Sequence, residues 1–213
     1  MDQYPREHAM RKYITLISFM FLLAFSSFVF GGDYETGRNA YDVGDFEKAM
    51  AVWAPAAESG DADSQFGMGL LYANGYGVPL DDAQALKWYM LAAEQDHGQA
   101  QCNIAVMHAN GWGVPMSETE AMKWYLLAAE NGIVDAQINL GTMYQNGFSI
   151  EKNEIEALKW FTIAARLEGP EETGAKDKHE YLAERLSAED HAAADALVEA
   201  WFDNHQTMLA NQQ

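Results

Sequence analysis

The sequence predicts an all-α protein built from repeated helix pairs, and three observations carry that expectation. Landmark residues recur at one fixed offset of 36 residues in three copies. Within each copy the apolar residues fall at helical spacing, with none of the strict alternation of a half-buried strand. Each copy also carries its own helix-start and helix-stop residues.

The chain opens with Arg6, Arg11 and Lys12, then an uncharged run of 18 residues, 13–30, then Gly31, Gly32 and acidic Asp33. A positive segment, an apolar core and small residues at the exit read as a signal peptide over residues 1–32. The run also reaches the lower limit for crossing a bilayer, so an uncleaved N-terminal anchor is the alternative. Both readings keep the basic residues in the cytoplasm and place the rest outside. The domain is then expected to be exported, either periplasmic or secreted, or else anchored to the inner membrane and facing outward. No cysteine lies near the end of the run, which excludes a lipoprotein anchor.

Residues 33–63 read as a first helix pair. Gly44, Asp45 and Ala49, followed by Trp53 and Ala56-Ala57, match the second half of the later copies at the same 36-residue offset, with a shorter loop. The three full copies occupy 64–99, 100–135 and 136–171. Their landmarks are Lys87-Trp88-Tyr89, Lys123-Trp124-Tyr125 and Lys159-Trp160-Phe161. In each, a first helix bears a small residue where a neighbour must come close: Gly69, Ala105 and Gly141. That helix stops at Asn-Gly, where Gly75, Gly111 and Gly147 accept the left-handed conformation of a helix C-terminus. The loops continue through Gly77 and Gly113. The second helix begins at the N-caps Asp81, Ser117 and Asn153, with Gln84, Glu120 and Glu156 three residues on as capping-box partners. After the third copy the pattern changes to two closing helices over 171–186 and 188–202, the second capped at Ser187. Residues 172–205 are assigned to this C-terminal cap and 206–213 to a flexible tail, since the end units of a solenoid must shield one face from water.

Charge removes whole classes of function. Thirteen Lys and Arg face 32 Asp and Glu, a net of −19, and without residues 1–31 the chain holds 10 basic and 30 acidic side chains. Such a chain is expected to bind no nucleic acid, which needs basic residues to replace condensed counterions. Anionic lipid would repel it, so no membrane contact is expected from the mature domain unless the N-terminal segment stays as an anchor. Cys102 is the only cysteine, so multi-cysteine metal sites are excluded.

These motifs resemble those of Sel1-like repeat proteins, a branch of the tetratricopeptide superhelices. Residues 64–99 and 100–135 match closely; in 136–171, Ser149 and Glu151 replace the second Gly and the Pro, and in the second copy His108 takes a Tyr position. The resemblance spans about residues 40–202. It implies a right-handed α-solenoid of antiparallel helix pairs that serves protein–protein contact. It also implies which first-helix positions face a concave groove: Phe66, Leu70, Cys102, Val106, Ile138 and Thr142, with Tyr34, Arg38 and Tyr41 extending the row. Family members act in envelope signalling, surface assembly and host contact.

Other chemistry finds little support in the sequence. The Gly-x-Gly loops follow a helix rather than a strand, so they read as structural and not as phosphate cradles. Trp88, Trp124 and Trp160 repeat with the period and read as packing residues. None of the six histidines falls in a metal-binding spacing, and His108 reads as a half-buried, hydrogen-bonded imidazole. No catalytic residue, metal or cofactor is expected. The expected function is a non-enzymatic adaptor for another protein, a peptide or helix that its acidity would favour being basic. The alternatives are a structural envelope protein that binds cell-wall glycan and, more remotely, a β-lactamase-like hydrolase. The last transfers poorly, because the relatives concerned carry a disulfide in each repeat and this chain has no Ser-x-x-Lys motif.

Overall fold

The computed structural model describes residues 33–168 and 174–210. The segment expected to be a signal peptide or anchor lies outside the described residues. The helices are α1 (Asp33–Asp42), α2 (Phe46–Glu58), α3 (Ala62–Asn74), α4 (Asp82–Ala93), α5 (Gly98–Asn110), α6 (Glu118–Glu130), α7 (Val134–Asn146), α8 (Glu154–Leu167), α9 (Gly174–Ala183) and α10 (Ala188–Ala210). Among the described residues there is no strand. Consecutive helices pair as α1/α2, α3/α4, α5/α6 and α7/α8, and each pair packs on the next through α2–α3, α4–α5 and α6–α7. The result is an α-solenoid.

The helix ends form as the sequence predicts. Asp81, Ser117 and Asn153 each accept the backbone N–H of the residue three ahead, at 3.0, 3.2 and 3.1 Å. Gly75, Gly111 and Gly147 close their helices at φ of 66°, 74° and 75°, a region that a side chain disfavours. The loops then lean on the pair before them. A Cβ on Gly113 would lie 2.9 Å from the backbone of Asp82. The third copy has Ser149 at that position, and it keeps the positive φ of 57°. Its hydroxyl donates to Glu118 Oε2 at 2.8 Å, so a polar contact takes over where the glycines make a close approach.

Each pair is held by one aromatic ring lodged against a small residue of the partner helix. The Tyr89 ring fills the space where a Cβ on Gly69 would stand, and Trp53 does the same to Gly37. A Cβ on Gly141 would lie 2.7 Å from the Phe161 ring. In the second copy Ala105 meets Tyr125 within one core cluster. The first pair has a loop four residues shorter than the others, which is why Gly37 rather than residue 33 faces Trp53. Trp53 also bridges to the next repeat, since a Cβ on Gly67 would come within 2.6 Å of its ring, and its Nε1 donates to the Tyr34 carbonyl at 3.0 Å.

Buried glutamines tie the repeats together in a second, polar way. Gln65, Gln101 and Gln137, 36 residues apart, each donate their amide to a carbonyl at the end of the preceding second helix: Ala57, Ala93 and Ala129. Gln95 and Asn131 then donate to the side-chain oxygens of Gln65 and Gln101 at 2.8 and 2.9 Å. In the third copy the corresponding residue is Leu167, and Gln137 Oε1 is buried without a partner. None of the sequence motifs marks these glutamines.

The C-terminal end departs from the expected boundaries. α9 ends at Ala183, before the expected 186, whereas α10 runs to Ala210, so part of the tail expected over 206–213 is helical. α9 and α10 both pack on α8. Val198 and Trp201 of α10 join the cluster that contains Ile163, which is wholly buried, whereas Leu127 at the same position of the second copy is 49% exposed. α10 is further held by Trp201 Nε1, which donates to Glu130 at 2.9 Å, and by His205, stacked on Trp201 and 3.2 Å from the same carboxylate. These contacts explain why the helix continues past its expected end.

The ring-to-glycine contact makes a direct prediction. Alanine at Gly141 would gain about 1 kcal/mol of helix propensity but would drive its methyl into the Phe161 ring. The clash outweighs the gain, so Gly141→Ala is expected to lower stability by roughly 1–3 kcal/mol. A shifted urea midpoint at unchanged slope would report it.

Candidate functional site

Two clefts of the same construction open between successive first helices. One, of about 230 Å³, lies between α3 and α5, lined by Leu70, Ala73, Asn103, Val106 and Met107, with Tyr89 and Asp82 of α4 and Trp112 of the following loop. The other, of about 200 Å³, lies between α5 and α7 and is lined by Ala109, Asn139, Thr142 and Met143, with Tyr125 and Glu118 of α6 and Phe148. Residue by residue the second is the first moved by 36 positions: Tyr89 becomes Tyr125, Asn103 becomes Asn139, Val106 becomes Thr142 and Trp112 becomes Phe148.

The folding logic of the pair builds these clefts. The ring that seats on the small residue of the first helix also walls the cleft. Asn103 hydrogen-bonds the Tyr89 hydroxyl, and burial pushes the Tyr89 phenol far above its usual range. Tyr125 is pushed up to about 12, again chiefly by burial. Both phenols are neutral at any physiological pH. At the rims, Trp112 is 51% exposed and Phe148 48%, held out by loops that rest on the preceding repeat. Tyr76 stands at the same position of the first full copy, stacked on Phe46 with ring centres 4.3 Å apart. The Asp82 and Glu118 carboxylates lie in the first turns of α4 and α6, where the helix dipole favours them.

Of the residues expected to line a groove, the structure brings Leu70 and Val106 together in the first cleft and places Thr142 in the second. The others lie elsewhere. Phe66 is 8% exposed, stacked on His97 at 4.7 Å, and Cys102 is 5% exposed within the α5–α6 core. Ile138 is half-buried and lines neither cleft; its carbonyl accepts the Thr142 hydroxyl at 2.8 Å. Tyr34 and Tyr41 cover Trp53, and Arg38 pairs with Asp42 at 3.0 Å. Along the expected row, the position one after the small residue opens to the surface, and the position three before it turns inward in the first two copies. Tyr89, Tyr125, Asn103, Asn139, Trp112 and Phe148 were missed. The 36-residue recurrence of an aromatic directly after the glycine that closes the first helix was the available signal.

Burial holds the Cys102 thiol up at about 12, with the Asp135 carboxylate adding to the effect. The periodic tryptophans behave as packing residues, with Trp160 wholly buried and Trp88 and Trp124 half-buried. His108 is half-buried as expected, but its buried Nδ1 has no hydrogen-bond partner, which corrects the expectation of a bonded ring. Among the described residues no group of three or more His, Cys, Asp or Glu could hold a metal ion, and no helix is long and apolar enough to cross a membrane.

Repeated helix pairs with repeat-related clefts define a helical-repeat scaffold. The comparison with protein families identifies which one: the Sel1 repeat model matches residues 62–97, 98–133 and 134–168, and the chain belongs to that family. The matched units keep the 36-residue period and start two residues before the expected 64, 100 and 136. Sel1 repeats generally mediate protein–protein interaction. Among solved structures, the chain is similar to a Sel1 repeat protein from Oxalobacter formigenes, at 32% identity and a TM-score of 0.56, over 62% of this chain and 97% of that one. It is also similar to c5321, a protective antigen present in uropathogenic Escherichia coli strains that displays an SLR fold. That match has 24% identity and a TM-score of 0.48 and covers 79% of this chain and 44% of that one. Comparison with curated proteins finds no match.

Two tests follow from these environments. The first concerns His97, the N-cap of α5. Its Nδ1 accepts the Ala100 N–H at 3.1 Å while Nε2–H points to Asp63 at 3.2 Å, so the ring is neutral. Burial lowers its pKa below the ordinary 6.5, against the opposing pull of Asp63. The unfolded chain therefore takes up this proton first. The stability involved is full above about pH 6.5 and is lost as the pH falls from there through the folded value. His97→Asn, which still caps but does not titrate, should show a smaller fall in Tm between pH 7.5 and pH 5 than the unaltered chain. The second concerns Cys102, which should resist alkylation by iodoacetamide at pH 8 until urea unfolds the chain. Rapid native labelling would contradict the burial described.

Proposed function

We propose that this protein is a non-enzymatic adaptor that acts outside the cytoplasm and binds another protein across the clefts between its first helices. The carrying observation is the repetition of one apolar cleft with an aromatic rim in two successive repeats. A solenoid presents such clefts already formed, so a partner docks without the scaffold losing conformational entropy. The side chains that line them are apolar, aromatic, hydroxyl, amide or carboxylate, which suits recognition of a polypeptide segment. The basic residues and apolar run that begin the chain support export, and a role in envelope signalling or host contact fits such a location.

Affinity capture from membrane and periplasmic fractions tests the binding reading, with the full chain set beside a Trp112→Ser plus Phe148→Ser variant. These two side chains are exposed, so their loss leaves the core intact, whereas a charge at buried Phe66 would unfold it. A discrete protein retained at low salt, reduced at high salt and lost with the variant is the expected result. Equal retention by the variant would remove the clefts from the function. Export is checked separately by fusing residues 1–32 to alkaline phosphatase, which is expected to be active; an inactive fusion would return the domain to the cytoplasm.

A further inference from the structure

We infer that the series of clefts continues into a third of opposite chemistry, a site between the ends of α7 and α9 that takes a carboxylate side chain, Asp or Glu, of the bound protein. This rests on the reading that the clefted face binds protein, and it adds a contact that neither apolar cleft can make.

Repeat position identifies the third cleft. It has a volume of about 430 Å³ and is lined chiefly by Gln145, Asn146, Lys152, Glu154, Tyr181 and Arg185. Gln145, Asn146 and Glu154 stand 72 residues after Ala73, Asn74 and Asp82 of the first cleft. Gln145 and Glu154 likewise follow Ala109 and Glu118 of the second cleft by 36. The site is therefore built on the same ends of a first and a second helix, one copy further on. Its far wall differs, because α9 and the turn after it supply Tyr181 and Arg185 where the earlier clefts have the next first helix.

Changes at three repeat positions make this cleft polar. The alanine of the earlier clefts becomes Gln145. Leu80 and Met116, exposed just ahead of the earlier second helices, become Lys152. Asn74 and Asn110 spend their amides on the carbonyls of Leu70 and Val106, at 2.9 and 2.8 Å, whereas among the described residues Asn146 makes no such bond. The amides of Gln145 and Asn146 are thus available to the cleft they line.

Charge selects the ligand. Lys152 pairs with Glu154 at 2.7 Å, which offsets the one carboxylate of the lining. Arg185 forms no ion pair among the described residues and lies over the Tyr181 ring, 4.6 Å from its centre. A guanidinium held against a ring keeps its N–H groups for other partners, and its planar fork meets a carboxylate through two parallel hydrogen bonds. The lining therefore carries one surplus positive charge in a chain of net charge −19. Six of the ten basic side chains after residue 32 fall within residues 152–185, so the acidity of the chain is weakest here. Nucleic acid or an anionic lipid surface would reach past the cleft to the acidic repeats. A single carboxylate answers to the charges within about 8 Å of it.

The test is selection of a random 12-residue peptide library displayed on phage against the full chain, Arg185→Ala and Arg185→Glu. Arg185 is exposed, and circular dichroism checks that both variants stay folded. Peptides enriched on the unaltered chain are expected to carry Asp or Glu at one fixed position, and Arg185→Glu should lose that preference. A synthetic peptide of that pattern, amidated at its C-terminus, should bind roughly three- to tenfold more weakly when its acid is changed to the amide. The same change should cost nothing on Arg185→Ala. Enriched peptides with no acid at a fixed position, or with an acid whose replacement costs as much on Arg185→Ala, would overturn this inference; if they still depend on Trp112 and Phe148, the adaptor reading stands. No enrichment, or peptides indifferent to the Trp112→Ser plus Phe148→Ser variant and to both Arg185 variants, would overturn both.

Discussion

An aromatic ring seated on a residue with almost no side chain sets the geometry of every repeat. Trp53 on Gly37, Tyr89 on Gly69, Tyr125 against Ala105 and Phe161 on Gly141 bring the two helices of a pair to their closest approach. Close-packed interiors tolerate little change of volume, so the ring fixes both separation and rotation of the pair. The pair is one ring thick at this point, and the next repeat must match it. Trp53 shows how the contact spreads: it is bounded by Gly37 on its own partner helix and by Gly67 of the following repeat.

The clefts are a consequence of that contact rather than an addition to it. Tyr89 and Tyr125 reach the core with their rings and the cleft with their outer ends. The loops complete the rims because each must rest on the repeat before it, as Gly113 rests on Asp82 and Ser149 on Glu118. Residues that hold the stack therefore also line the clefts. The groups that burial shifts are phenols, a thiol and one histidine.

The repeats also show how a solenoid ends. Two of its buried glutamines form a relay from the second helix of one repeat to that of the next, and the relay stops where Leu167 replaces Gln95 and Asn131. An apolar residue serves there because the neighbour is no longer another repeat but α10, whose Val198 and Trp201 cover Ile163. Arg166, where the earlier copies have Glu94 and Glu130, pairs with Glu199 of the same helix at 2.8 Å. Substitution at two consecutive repeat positions, Arg166 and Leu167, thus converts a surface made for stacking into one made for capping.

Helices, caps, loop glycines and the small residues of the first helix were legible because each is a local rule repeated three times, and a repeat amplifies a weak signal. The surface was legible only in part. Leu70, Val106 and Thr142 reach the clefts, but Phe66 and Cys102 turn inward, and Arg38 pairs with Asp42. Which side of a helix faces a neighbour depends on its rotation about its own axis, and that rotation is set by the ring from the partner helix, a residue some 20 positions away. The amino-acid pattern by itself determined that the chain would form stacked helix pairs with an acidic surface. Only the tertiary structure decided which of its apolar residues hold the stack and which remain open to a partner, because burial belongs to the packed assembly and not to any one segment.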